Sequence, residues 1–225
     1  MAGETSIKWA EKTWNPLAGC SVVSPACTNC YAMAMAARIV RMSKGRPTMY
    51  DGTTTETAKG KHVWTGQINV APDHQFLAPL RWRKPSRIFV NSMSDLFHNN
   101  VPDDVIDRIF AVMALCPQHT FMILTKRPQR MREYCAEATR PSRVAAPANV
   151  LFHGQAKVMM DNIRFRINGP GKIHVGTVTG FKTWPLPNVW LGVTCEDQGR
   201  ADERIPDLLN TPAAVRFVSA EPLLS

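Results

Sequence analysis

Short apolar runs of five or six residues recur along the chain, and longer amphipathic stretches separate them. In each run the odd-numbered and the even-numbered positions, which would face opposite sides of a sheet, are both mostly apolar. This pattern is typical of strands covered on both faces. Residues 102–116 open on a proline followed by Asp103 and Asp104, acids that the dipole at a helix start favours. Strands that alternate with helices predict βα units and a parallel sheet, so we expect an α/β fold, either open or closed into a barrel. The predicted strands are residues 6–10, 87–91, 120–125, 189–194 and 215–220, and the predicted helices are residues 31–41, 102–116, 128–138 and 201–210.

Polar side chains follow four of the predicted strands at the point where each strand ends. In parallel α/β folds these ends meet on one face, where such folds bind ligands, and we expect the side chains to lie together there. The alternative is that they are ordinary polar loop residues. The side chains are Ser92, Ser94 and Asp95; Lys126 and Arg127; Thr194 and Glu196; and Ser219 and Glu221.

The length and composition describe a soluble globular chain. With 225 residues, 44% of them hydrophobic, the chain can bury one sizeable core, and we treat residues 1–225 as a single domain. No apolar run approaches the roughly 18 residues of a membrane span, and the first residues lack the apolar centre of a signal peptide. We therefore expect a cytoplasmic protein with no membrane partner, whose six cysteines are thiols or metal ligands rather than disulfides.

Much of the net charge of +9 falls in residues 139–185, which look like an insertion between the third and fourth βα units. This segment has seven Arg and Lys residues and a single acid. Its alternating apolar and basic residues flank an Asn-Gly-Pro-Gly turn signal and predict a β-hairpin. Arg164, Arg166 and Lys172 are the candidate nucleic-acid contacts, because a basic ribbon can follow a phosphate backbone; a solvated hairpin face is the alternative.

Three cysteines, Cys20, Cys27 and Cys30, lie in one Gly- and Pro-bearing loop with the spacing C-x6-C-x2-C. Such a loop can wrap three thiolates around one metal centre. A closed zinc site needs a fourth ligand, such as His98 or Cys195, whereas an iron–sulfur cube held by three thiolates keeps one open iron. Cys116 and Cys135 fall in predicted helices and are expected to be core or surface thiols.

Six motifs, in order along nearly the whole chain outside the insertion, carry a resemblance to a known family. The chain resembles the phage-associated, three-cysteine proteins of unknown function, which are regarded as divergent relatives of the radical S-adenosylmethionine enzymes. The motifs are Trp14-Asn15-Pro16 with Gly19-Cys20; Cys27-Thr28-Asn29-Cys30-Tyr31-Ala32; residues 91–98, NSMSDLFH; residues 124–128, LTKRP; residues 190–194, WLGVT, with Glu196; and residues 219–223, SAEPL.

The resemblance implies a partial (β/α) barrel with a [4Fe-4S] cluster held by Cys20, Cys27 and Cys30. It implies that the open iron chelates S-adenosylmethionine and that a reductant protein supplies the electron that releases a radical. Ser92, Ser94, Asp95, Lys126, Arg127, Thr194, Glu196 and Glu221 become candidates for binding this cofactor or the substrate.

Two features depart from the pattern that the resemblance implies. The usual superfamily spacing is C-x3-C-x2-C, whereas the first gap here is six residues. Related proteins continue beyond the Ser-Ala-Glu-Pro-Leu-Leu segment, so we expect a barrel that lacks its last βα unit. The chain would then be a fragment, a natural truncation, or a protein whose open sheet edge a partner covers.

Three hypotheses about function follow from these features. The leading hypothesis is a phage-encoded radical S-adenosylmethionine enzyme, acting in the host cytoplasm on an unknown and anionic substrate such as a nucleic acid or nucleotide. The alternatives are a zinc-stabilised nucleic-acid-binding module without catalysis and an inactive, truncated family member.

Overall fold

The computed structural model describes residues 2–154, 183–221 and 223–224. Its central feature is a six-stranded sheet in the spatial order β1-β2-β7-β8-β9-β10, in which every neighbouring pair is parallel except β1 and β2. The strands are β1 (Ala2–Glu4), β2 (Lys12–Trp14), β3 (Leu17–Ala18), β4 (Thr54–Glu56), β5 (His62–Trp64), β6 (Asn69–Val70), β7 (Arg87–Val90), β8 (Thr120–Thr125), β9 (Val189–Thr194) and β10 (Val215–Ser219). The expectation of an α/β fold with a mostly parallel sheet is confirmed.

Helices follow the parallel strands, as the alternating pattern predicts. They are α1 (Tyr31–Met42), α2 (Asp73–Phe76), α3 (Asp103–Ala114), α4 (Pro128–Ala136), α5 (Arg140–Gly154) and α6 (Gln198–Asn210), with 3-10 turns at Pro25–Asn29 and Ala78–Arg81. α6 begins where the Asp197 carboxylate accepts a hydrogen bond from the Arg200 backbone N–H at 2.7 Å, a helix N-cap. No helix in the described ranges combines the length and apolar character needed to cross a membrane.

The main core lies between the sheet and the helices. Ile88 on β7, Phe121 on β8 and Leu191 on β9 are buried with Ile106 and Phe110 of α3. The strand order follows the chain order, as in consecutive βα units. Within the described residues, β1 and β10 remain the two edges of the sheet, and it does not close into a barrel.

The prediction of a strand at residues 6–10 is wrong. The Ala10 backbone N–H bonds to the Ile7 carbonyl in a turn, and the parallel strand begins two residues later at Lys12. The turn lets the Trp9 ring pack on Phe89 of β7, at 4.7 Å between ring centroids, and near Phe217 of β10. Residues 6–10 are therefore apolar because a ring covers the sheet, and not because they form a strand.

The start of the basic insertion belongs to the helical layer. Arg140, at the first position of α5, is buried and forms ion pairs with Asp103 and Asp107 of α3 and with Glu137. Arg143 pairs with Asp107 and Glu137 as well. Two of the seven basic residues counted in residues 139–185 thus fix α5 against α3. The predicted hairpin, with Arg164, Arg166 and Lys172, lies outside the described residues and stays a prediction.

Candidate functional site

The cysteine loop, residues 19–30, lies at the carboxyl edge of the parallel sheet. Its first residue, Gly19, forms a parallel bridge with Ser94, which follows β7, and its N–H bonds to the Met93 carbonyl. Gly19 has φ +98°, and a Cβ placed there would lie 2.0 Å from the Gln67 carbonyl oxygen. Only glycine accepts this conformation and this close approach, so it fixes the entry to the loop.

The loop carries the three thiols of Cys20, Cys27 and Cys30 within eleven consecutive residues. Cys27 is buried within the 3-10 turn, and Cys30 is the residue from which α1 begins. Cys20 and Cys30 are half-buried against a small apolar cluster that includes Met33, Tyr50 and Trp64. The three cysteines therefore share one loop, as the sequence predicts, and the loop has its own supporting core.

Asp95 and Arg127 connect the loop to the sheet. Asp95 is 5% exposed, and its carboxylate accepts hydrogen bonds from the Thr125 hydroxyl at 2.7 Å and from the Arg127 guanidinium at 2.8 Å. Arg127 also donates to Ser21 Oγ at 2.7 Å, and its Nη1 lies 3.8 Å from Cys20 Sγ. Both residues belong to the predicted site, and the structure directs them toward the cysteine loop.

Burial and the nearby Asp95 charge raise the pKa of the Cys20 thiol to about 11, although Arg127 opposes this shift. The Cys20 thiol therefore carries its proton at neutral pH. A metal would have to displace that proton, since the thiolate is the ligand.

Glu196 and Arg204 form a buried ion pair that contacts the cysteine loop at Ser24. The two side chains are 0% and 1% exposed, and Arg204 Nη1 lies 2.8 Å from Glu196 Oε2. Burial alone would raise the pKa of Glu196, but hydrogen bonds from Ser24 and Arg204 and the charges of Lys126 and Arg204 lower it. Glu196 is therefore an anion that binds the loop through Ser24, between Cys20 and Cys27.

The remaining residues of the predicted site differ in whether they contact other protein groups. Ser94 Oγ donates to the Leu17 carbonyl, and Ser92 shares hydrogen bonds with the Asn15 amide. Thr194 ends β9 beside Ser219 of β10, and its carbonyl accepts a hydrogen bond from Arg204. Glu221 is exposed beyond β10. The structure thus brings the side chains that follow β7, β8 and β9 to one edge and leaves Glu221 at its periphery.

His98 is bonded in a way that leaves no lone pair for a metal. Its Nδ1 accepts a hydrogen bond from the Asn100 backbone N–H at 3.1 Å, so Nε2 carries the ring proton and faces Ser21 Oγ at 2.9 Å. Burial and the Arg127 charge lower the pKa of His98 to about 4, which keeps the ring neutral.

Cys195 is buried in the main core. Cys116 and Cys135 are buried in the same core, as expected. Within residues 2–154, 183–221 and 223–224, no three or more His, Cys, Asp or Glu side chains are gathered as a ready metal site.

Asn91 is a candidate that the sequence analysis did not single out. It directly follows β7, with φ +61°, and is 2% exposed, yet neither atom of its side-chain amide has a hydrogen-bond partner among the described residues. A buried unpaired amide on strained backbone requires an explanation, and such groups cluster at binding sites. The available signal was an asparagine at a strand end, since Asn adopts positive φ more readily than other non-glycine residues.

Replacing Asn91 with glycine is expected to change the free energy of unfolding by less than about 1 kcal/mol, because glycine accepts positive φ and no hydrogen bond is lost. Asn15→Ala is the matched control: it removes bonds to Ser92 and to the Met93 N–H and should cost about 1–3 kcal/mol. Urea unfolding measures both. Equal losses would mean that the Asn91 amide is a structural partner.

Comparisons with known proteins identify a family for this chain but do not identify a function. No curated protein and no solved structure matches the chain. One family model, described as a protein of unknown function (DUF5131), matches residues 4–225. Since this match covers nearly the whole sequence, the chain belongs to the family of proteins of unknown function DUF5131.

Proposed function

We propose that Cys20, Cys27 and Cys30 hold an iron–sulfur cluster and that the protein is a radical S-adenosylmethionine enzyme acting on an anionic substrate. One observation carries the proposal: three thiols lie on a single loop at the carboxyl edge of a parallel sheet. This edge is where α/β folds bind ligands. The wider proposal includes a partial barrel of the radical S-adenosylmethionine type, a phage origin and a partner that covers the β10 edge.

The chemistry of the donor set fits such a cluster. Three soft thiolates suit iron–sulfur ligation and leave one iron open to a cofactor. When bound, the cluster would supply the electron that cleaves the sulfonium of S-adenosylmethionine, with a reductant protein as the source. The thiols are held on both sides of the loop, by Arg127 at Ser21 and by Glu196 at Ser24. Since the three thiols are not gathered as a ready metal site in the described residues, holding a cluster would require the loop to rearrange between these anchors.

The chain's own side chains at this edge have separable roles. Asp95 and Glu196 are positioning residues, because their carboxylates are already bound by protein donors. The Lys126 ammonium and the Asn91 side-chain amide are the groups best suited to bind S-adenosylmethionine or substrate, since no hydrogen bond within the described residues uses the atoms of that side-chain amide. Thr194, Ser92 and Ser94 border the same edge.

A zinc-stabilised binding module fits the described contacts less well. Zinc needs a fourth ligand for a closed site. His98 has both ring nitrogens engaged, and Cys195 lies in the main core. Zinc binding would therefore require one of these side chains to leave its present partners.

The test is the iron, sulfide and zinc content of anaerobically reconstituted protein, followed by S-adenosylmethionine cleavage with dithionite as reductant. About four irons with sulfide, a brown absorption band and release of 5′-deoxyadenosine are expected. One zinc without colour would favour the binding module. A bound cluster that never cleaves S-adenosylmethionine would instead indicate an inactive family member.

A further inference from the structure

A cavity of about 500 Å³ lies between the cysteine loop and the tip of the β4–β5 hairpin. On one side it is bounded by Val22 and Thr28 of the loop and by Met33 of α1. On the other side it is bounded by the hairpin turn, through Thr57, Ala58, Lys59 and Lys61, and by the start of β5, through His62 and Val63. Its volume falls within the range of pockets that bind small molecules.

The walls of this cavity are apolar. Val22, Met33 and Val63 line it together with Ala58. Val22 is 49% exposed although it is a large aliphatic side chain, and Val23, the next residue, is also exposed. Exposed aliphatic residues on a loop that has its own core indicate a surface that gains from being covered.

The rim of the cavity is basic. Lys59 and Lys61 stand on the exposed hairpin turn, and His62 follows them. Among the described residues, no acidic side chain lines the cavity; Glu56, which pairs with His62 across the hairpin, is exposed and lies outside the lining. The Thr57 N–H donates to the Lys61 carbonyl, and the Lys61 N–H donates to Thr57 Oγ1, so the two lysines stand on an ordered turn.

We propose that this cavity binds a mononucleotide, with the base against the apolar walls and the phosphate at Lys59 and Lys61. Apolar walls can bury an uncharged ring, a methionine thioether makes favourable contacts with aromatic rings, and lysine ammonium groups are common phosphate partners. The ligand class follows from this combination, because a bare anion would not use the walls and a neutral ring would not use the rim. Mononucleotide binding at this cavity does not depend on the proposed function. Only the interpretation of the cavity as a substrate site beside the cluster rests on it.

The test is the affinity of the full chain for AMP, measured by titration calorimetry at two salt concentrations, with adenosine and inorganic phosphate as partial ligands. The Lys59→Gln/Lys61→Gln variant is expected to bind AMP about tenfold more weakly and with a smaller salt dependence. The Lys8→Gln/Lys84→Gln variant changes two exposed lysines elsewhere and should bind AMP as the wild type does. Val22→Asp should abolish binding, whereas Val23→Asp, one residue outside the lining, should not.

Several outcomes would overturn the proposal. These are undetectable AMP binding, equal affinity for AMP and phosphate, or equal effects of the two lysine pairs. Binding of a ten-nucleotide single strand without binding of AMP would favour an open nucleic-acid surface instead. Iron content measured on the same variants distinguishes the mononucleotide proposal from the cluster proposal. A variant that loses AMP binding and keeps its iron is defective in the cavity and not in the cluster.

Discussion

Serine at Cys20, Cys27 or Cys30 is expected to remove most of the iron from reconstituted protein. The reason is that a hard hydroxyl replaces a soft thiolate and the cluster then has only two protein ligands. Iron and sulfide per chain, with the visible spectrum, measure the loss. Each of the three variants should show it, because the three thiols lie on one loop at one sheet edge.

Two other cysteines of this chain provide the matched controls. Cys116 and Cys135 are buried in the main core, and serine at either position should keep the cluster even where it lowers the thermal stability. Circular dichroism separates unfolding from loss of metal. If all five variants lose iron alike, or if none does, the assignment of Cys20, Cys27 and Cys30 as the ligands is wrong.

Three of the parallel strands could be predicted from the sequence because they are short, mostly apolar runs; in β8 and β9 no residue on either face is exposed. Arg87–Val90, Thr120–Thr125 and Val189–Thr194 lie within one residue of the predicted limits. Residues 6–10 have the same apolar composition for a different reason, since Trp9 packs on Phe89 from a turn. An apolar composition indicates that a segment is buried, but it does not indicate whether the segment is a strand within the sheet or a turn that packs on it.

The positions at the sheet edge could also be predicted, but their pairing could not. Asp95 and Arg127 are 32 residues apart and form an ion pair at 2.8 Å. Glu196, a predicted candidate for a cofactor or substrate contact, forms an ion pair with Arg204 on the following helix. A polar residue at a strand end can face a ligand or a neighbouring side chain, and only the three-dimensional arrangement distinguishes these roles.

The same limit applies to the basic residues. Seven of them in residues 139–185 suggested a binding surface, yet Arg140 is buried against Asp107. Net charge counts an arginine equally whether its partner is a phosphate or a carboxylate. Asn91 is the opposite case: the sequence shows an ordinary asparagine, whereas its side-chain amide is buried and has no hydrogen-bond partner among the described residues.

Arg204→Met is expected to lower the free energy of unfolding by about 3–5 kcal/mol, since it leaves the Glu196 carboxylate buried without its guanidinium. Domains are stable by only about 5–15 kcal/mol, so urea unfolding should show the change clearly. Arg200→Met on the same helix is the control. Arg200 pairs with Glu203, and these side chains are 33% and 56% exposed, so this change should cost less than about 1 kcal/mol.

The double variant Glu196→Gln/Arg204→Met tests whether the loss comes from the unpaired charge. It should be more stable than Arg204→Met, because removing both charges avoids leaving a carboxylate buried alone. Glu196 also accepts a hydrogen bond from Ser24, so Arg204→Met should loosen the cysteine loop and slow metal uptake. Equal stability of the Arg204→Met and Arg200→Met variants would contradict a buried ion pair. It would also remove Glu196 as the anchor that holds the loop between Cys20 and Cys27.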